Sequence, residues 1–475
     1  MTAKQPGLPR CRALAAALAF ALSSSAAPTP RGERLAPMAA TPVRPSHVDG
    51  SIPFTNCNDS GPGSLREAVA AASDNGVVFA SNLACSTITL TTGEILVTVD
   101  SLQIYGPGPD LLTIANGAQS RVFHHRGARF FRLYGMTISD GYTTDFDPVT
   151  RDVRGGCILS NGLLTLGSRL GSNAYAVTVR NCAAYASEAG ESAKGGGIFA
   201  AIGLTLNKSK VLDNRAIARA PGIYARGGGV YGGGVSMHYS EVSGNRAYGG
   251  ITISRAGGVD AVGGSTIYSS TIANNEADLW GGALLGRWTD DFLAIVDSTI
   301  SGNHSSGDGG GVYVYNYHLA NFPAHVIAST ITLNRSDDAA ATAGLVIHGP
   351  VEMQSSIVSG NTSAGNPGDL RSVTESAFGS SNLVGAFTGY APPPDELILS
   401  NDPRLAPLAN NGGVTRTHAL LPDSPAIDAG TLNFDFNLDL DYDQRGDGYP
   451  RTVGPSVDIG AFEFDPDVVF RNGFD

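Results

Sequence analysis

Apolar and polar positions alternate along this chain in short bursts, and the bursts repeat. Six segments share the pattern Ser-x-[Val/Ile]-x-x-Asn: 209–214, 240–245, 270–275, 298–303, 329–334 and 356–361. Their asparagines, Asn214, Asn245, Asn275, Asn303, Asn334 and Asn361, lie 31, 30, 28, 31 and 27 residues apart. Most copies lead into a glycine cluster that opens another alternating run, as at Gly228-Gly229-Val230, Gly257-Gly258-Val259 and Gly310-Gly311-Val312. A glycine loop that cradles a phosphate is used once, between a strand and a helix, so recurrence makes these clusters turns of a repeat. Short strands in every repeat, with turns of Gly, Asn and Ser and no helix-length segment between them, predict an all-β solenoid, a parallel β-helix.

That geometry accounts for the residue types. Equivalent residues of successive coils stack about 4.8 Å apart. Val and Ile then form an apolar column inside, and stacked Asn side chains form a ladder in which each amide satisfies its neighbours. The well-registered repeats run over 155–365. Before them, 53–154 holds alternating strands such as Thr87–Thr91 and Leu111–Ile114, broken by Gly106-Pro107-Gly108-Pro109. Ser64 with Glu67 forms a capping box, which predicts one short helix, about Leu65 to Ala72, covering the exposed N-terminal end. Arg66 and Glu67 are accordingly read as structural. Residues 366–390 lose the register, Ala391-Pro-Pro-Pro394 marks a boundary, and 366–463 forms a distinct C-terminal region.

Composition agrees with a strand-and-turn protein. Glycine accounts for 61 of 475 residues, and charged residues for only 16%. The formal net charge is −12 with no run of Lys or Arg, which argues against a nucleic-acid partner. Lys4, Arg10 and Arg12 precede an apolar segment, Ala13 to Leu22, and small residues follow it. We read 1–26 as a secretory signal peptide and 27–52 as a disordered leader. No transmembrane span is expected after removal of the signal, so the destination is the extracellular space or a bacterial cell surface. Four cysteines then remain in an oxidising compartment. Proximity favours Cys57 with Cys85 and Cys157 with Cys182, and Cys182 falls where later copies carry their Asn. Four buried free thiols are the alternative.

Candidate chemistry is sparse. Asp435, Asn437, Asp439, Asp441 and Asp443 alternate with apolar residues, which on a strand puts every carboxylate on one face. Asp439, Asp441 and Asp443 are candidate calcium ligands, although Leu440 and Gly446 stand where an EF-hand needs Gly and Glu; a solvated acidic face is the competing reading. Glycoside hydrolysis takes paired carboxylates, for which Asp290, Asp291, Asp337 and Asp338 are the candidates. Asp278, Asp308 and Asp337 follow the Asn turn and either line a shallow cleft or are solvated turn residues. The histidines share no metal-ligand spacing.

The stretch Gly63-Ser-Leu-Arg-Glu-Ala68 resembles the CSLREA motif of exported bacterial repeat proteins, with Gly63 in place of its Cys. Asn401-Asp-Pro403, Asn411-Gly-Gly413, Ser424-Pro-Ala-Ile-Asp-Ala-Gly430, Asp443-Gln-Arg-Gly446 and Asp458-Ile-Gly-Ala-Phe-Glu463 together resemble a choice-of-anchor Q domain. The repeats are similar to those of polymorphic outer membrane proteins, with Ile or Val in place of their Phe. The tail, 464–475, resembles a short sorting signature of exported proteins. These resemblances imply a right-handed parallel β-helix and bring no catalytic residue with them. The reading that follows is an adhesin or carbohydrate-binding scaffold at the cell surface, with a polysaccharide or surface glycan as partner. The alternative is a secreted lyase or glycoside hydrolase acting on acidic polysaccharide.

Overall fold

The computed structural model describes residues 50–169, 172–219, 224–249, 254–288, 293–316, 324–349, 351–373, 377–389, 397–431 and 440–467. The expected signal peptide, nearly all of the leader and the end of the tail lie outside them. The described residues form a parallel β-helix whose coils stack into five sheets, numbered here in the order the chain visits them. One coil runs through Gly203–Asn207 in sheet I, Lys210–Leu212 in sheet II, Arg215–Ala218 in sheet III, Ala225–Arg226 in sheet IV and Val230–Gly232 in sheet V. Sheets I and II have twelve strands each, sheet V eleven, sheet III nine and sheet IV four. Their pairings are parallel except the last of sheet III, where Asn366–Pro367 turns back against Thr362–Ser363.

The alternation read from the sequence sets the register. Val211, Val242, Ile272, Ile300, Ile331 and Val358 are paired rung to rung in sheet II, and all are fully buried. Burying each such side chain contributes roughly 1.5–3 kcal/mol. The column extends back through Val179, Ile138 and Ile114 to Ile88, so the less regular N-terminal strands belong to the same stack. It also extends forward beyond residue 365. Leu370–Ser372, Asn382–Val384, Phe387–Gly389 and Leu397–Leu399 continue sheets II and V, although their sequence has lost the repeat.

The asparagines form the expected ladder. Each Oδ1 accepts from the backbone N–H and the side-chain amide of the preceding rung, as between Asn245 and Asn275 at 2.9 Å for both bonds. Each amide also donates to the carbonyl of a residue in the preceding coil, Asn275 to Val242 at 2.9 Å. The ladder starts at the Cys182 N–H, bonded to Asn214, and ends at Asp369, whose Oδ1 accepts from the N–H and amide of Asn361. The repeat serines make a second ladder, each hydroxyl accepting the N–H of the serine before it from Ser209 to Ser356. The glycine clusters serve two needs. Gly227 has a left-handed backbone (φ +62°), whereas Gly229 leaves room for the ladder, since a Cβ there would sit 2.9 Å from Asn245 Cγ.

Sheets III and IV back onto one another through small side chains. Ala184, Ala216 and Ala247 of sheet III and Ala193 and Ala225 of sheet IV form one buried cluster, and larger residues would force the two layers apart. These two sheets therefore project as a thin lobe beside sheet V. At the N-terminal end, helix α1 (Leu65–Ala71) buries Leu65, Ala68 and Val69 on the first coils. The Ser64 hydroxyl accepts from Glu67 N–H, and the Glu67 carboxylate accepts from Gly63 N–H at 2.7 Å. Arg66 donates to the carbonyls of Gly93 and Glu94, consistent with its structural reading. Both expected disulfides are present, Cys57–Cys85 and Cys157–Cys182.

The C-terminal region is laid along the outside of sheet II. The outward position of the repeat runs Lys210, Glu241, Thr271, Thr299, Thr330, Ile357, Leu383, passing from charged to small polar to apolar. Arg416 pairs with Glu241; Gln444 bonds both Thr271 and Thr299; Ala461 N–H donates to Thr330 at 3.0 Å. Ile357 and Leu383 are buried against Ala419, Leu420, Ala426, Ile459 and Phe462. Several sequence motifs of this region hold it together: Asp458 accepts from Asp428 N–H, and Asp443 is paired with Arg445.

Candidate functional site

Where the lobe meets sheet V, side chains of two columns interlock along successive coils. From sheet IV come Arg154, Lys194, Arg226 and Arg255, in register with one another, and the column continues at Trp280. From sheet V come Phe199, Tyr231 and Asp260, also in register. Strand alternation turns both columns outward, because Ile198, Val230 and Val259 take the inward positions.

The cations lie on rings and carboxylates. The Arg154 guanidinium is 5.0 Å from the Phe199 ring centroid, and Arg226 and Lys194 sit over Tyr231 at 4.9 and 5.6 Å. Phe199 and Tyr231 stack at 5.1 Å. Lys194 and Arg154 share Asp152 at 2.7 and 3.3 Å, and Arg154 also reaches Asp147. Arg226 grips the buried Asp260 with two bonds of 2.6 and 2.8 Å. Burial works against the charge on Arg226, yet the Asp260 carboxylate outweighs it and holds its pKa above the ordinary value. Arg255 lies 4.3 Å over Trp280, which stacks in turn on Tyr313 at 5.8 Å. Burial and the neighbouring Arg226 charge both lower the Arg255 pKa. Beyond Tyr313, its hydroxyl meets His348 Nε2 at 3.1 Å, and Arg371 pairs with Asp308 at 2.6 Å.

The residues singled out in the sequence are elsewhere. Asp290 and Asp291 lie outside the described residues. Asp337 is an exposed turn residue, 3.0 Å from His304 Nε2 but without hydrogen-bond alignment, and Asp338 accepts from Ala340 N–H at 2.9 Å. Asp278 accepts from Gly249 N–H and Asp308 pairs with Arg371, so each of these turn acids has a partner within the fold. Asp439 also lies outside the described residues. Asp441 is exposed whereas Asp443 is buried, bonded to Arg445 and to Glu463 N–H, so these two carboxylates do not share the face that alternation predicted. The segment from 440 to 443 is not a strand, and this removes the reason for alternation. Among the described residues no group of three or more His, Cys, Asp or Glu is placed to hold a metal ion.

Sequence reasoning looked for acids and missed the cation column. Its signal was nonetheless periodic: a base precedes each glycine cluster, in Arg154-Gly-Gly, Lys194-Gly-Gly-Gly, Arg226-Gly-Gly-Gly and Arg255-Ala-Gly-Gly, and Phe199, Tyr231 and Asp260 each follow five residues later.

Comparison with known protein families returned no matching family model, and comparison with curated proteins returned no matching relative.

Proposed function

We propose that this chain is an exported, non-catalytic scaffold that binds polysaccharide or a surface glycan, in the manner of an adhesin. The observation that carries the reading is the corner between sheets IV and V, where rings and cations recur coil after coil along one line. The half-buried members Lys194, Tyr231, Arg226, Arg255 and Trp280 give a repetitive ligand a repetitive edge there, and rings and forked cations are the groups that grip sugars and their substituents. Catalysis asks for more, a positioned acid and base, and the described candidates Asp337 and Asp338 are turn residues. Two disulfides suit an oxidising compartment, and among the described residues no helix is long and apolar enough to cross a membrane.

The test is retention of the purified chain on a panel of immobilised neutral and acidic polysaccharides, with the eluate assayed for new reducing ends and unsaturated products. Retention without cleavage, weakened by Trp280→Ala, is the expected result. Cleavage lost on Asp337→Asn or Asp290→Asn would replace the scaffold with the hydrolase or lyase reading.

A further inference from the structure

The cation column changes character along its length. Its first three members are matched by carboxylates: Arg154 and Lys194 through Asp152, and Arg226 through Asp260. Arg255, one rung further, forms no ion pair among the described residues. Its Nε is buried without a hydrogen-bond partner. Asp260, the carboxylate nearest in register, is already held by both nitrogens of the Arg226 fork. A half-buried guanidinium beside a like charge is unfavourable unless an anion completes it, and Trp280 at 4.3 Å offers only its face. Arg215 and Arg335 on sheet III are exposed, so no buried anion is needed to complete them.

We infer that Arg255 is an anchor for an anionic sugar substituent, a carboxylate or a sulfate, and that the glycan bound along this corner carries that charge. This rests on the glycan-binding reading above and adds the ligand's charge to it. With its Cζ 4.3 Å over the Trp280 ring, the guanidinium is held in place while its fork suits a two-bond grip on a planar carboxylate or a sulfate edge. Neighbouring coils present Arg226 and Lys194 at the same position, but Asp260 and Asp152 already hold their charges, which leaves Arg255 as the member of the column that takes the ligand's anion. The net charge of −12 over the whole chain disfavours non-specific attachment to polyanions, so acceptance of an anionic glycan needs a local cation such as Arg255.

The experiment measures dissociation constants of the full chain for polygalacturonate, dextran sulfate, unmodified dextran and double-stranded DNA, with Arg255→Ala, Arg255→Lys and the sheet III control Arg215→Ala. Expected is binding to polygalacturonate, dextran sulfate or both, falling with added salt. Arg255→Ala should weaken it about tenfold or more, the loss of one charge-assisted contact, while Arg215→Ala leaves it unchanged. Which probe binds identifies carboxylate or sulfate. Arg255→Lys keeps the charge and loses the fork, so intermediate weakening at an unaltered melting temperature separates anchoring from folding. Equal binding by wild type and both Arg255 variants overturns the anchor, as does equally tight binding of DNA. Binding to unmodified dextran alone overturns the anionic ligand and leaves the glycan scaffold standing, whereas no binding to any glycan removes both.

Discussion

A single asparagine per coil carries a large share of the specificity of this fold. Asn275 accepts two bonds from Asn245, donates to Val242 and Asn303, and is 1% exposed. Replacing it by Ala leaves Asn245 N–H and the Val242 carbonyl buried without those partners, at about 1–3 kcal/mol each. Asn275→Ala is therefore expected to lower the unfolding free energy by about 2–4 kcal/mol in urea denaturation. Asn275→Asp keeps the accepting oxygen but sets a carboxylate against the Asn303 oxygen, so it should be no better tolerated. A stable Asp variant would show that the amide's donor role is dispensable. This residue-scale feature was legible in the sequence because a ladder requires the same side chain at the same phase in every coil. The serine ladder was equally visible in the motif but invisible as a ladder, since serine at a turn has many local uses. Asp369 was not legible at all: it ends the ladder from a different part of its coil, and nothing local marks it.

At the scale of elements, the two disulfides occupy contrasting positions. Cys57 and Cys85 join the capping segment to the first coil at the surface, with Cys85 exposed, whereas Cys157 and Cys182 are at most 1% exposed inside the stack. Thiolate attack needs access to sulfur. Mild reductant on the folded chain should open Cys57–Cys85 first, as read by alkylation and peptide mapping, and Cys157–Cys182 only on unfolding. Simultaneous opening would mean that the coils around Cys157 part as readily as the cap. Each bridge is expected to contribute about 2–4 kcal/mol. The inward apolar column was legible wherever Val or Ile kept its phase, and lost where it did not. Beyond residue 365 the strands persist because Val384 and Leu370 still fill the interior, although no motif surrounds them. The lobe of sheets III and IV escaped notice because alanine at a buried position looks like alanine anywhere.

Over the described body as a whole, the C-terminal region buries ionisable groups both against the stack and within itself. Asp297, between sheets I and II, faces Arg451 at 3.7 Å, both almost fully buried, and burial raises the Asp297 pKa well above the usual range although Arg451 opposes this. Burial likewise raises Asp458 to about 6, and burial with the Asp458 charge raises Glu463 to about 8. A carboxyl whose folded pKa is raised holds its proton more tightly in the folded state, so stability is greatest below the unfolded pKa and declines as pH rises to the folded one. For Glu463 that window runs from about 4.5 to about 8, at on the order of 1 kcal/mol per pH unit. Melting temperature should therefore fall across this window, and Glu463→Gln should flatten the decline. A wild-type melting temperature that rises steadily from pH 5 to 8 would contradict the assignment. The C-terminal region was half-legible: its motifs stood out, but their target did not, because the clue lay in the outward column from Lys210 to Leu383, where partners such as Glu241 and Arg416 are 175 residues apart in the chain.

The asparagine ladder also has a direction. Each asparagine's backbone N–H is satisfied by the side-chain oxygen of the coil that follows it in the chain, from Asn214 through Asn361 to Asp369, whereas its amide also reaches back to a carbonyl of the coil before. A chain folding from its N-terminus thus always ends in a donor waiting for the next acceptor, and its growing end stays unfinished however many coils have been laid down. A chain folding from the Asp369 end starts from a rung that needs no successor. Emergence of Asp369 is the event that closes the file, so a chain passed through a pore N-terminus first reaches a fully satisfied interior only after most of its length has crossed.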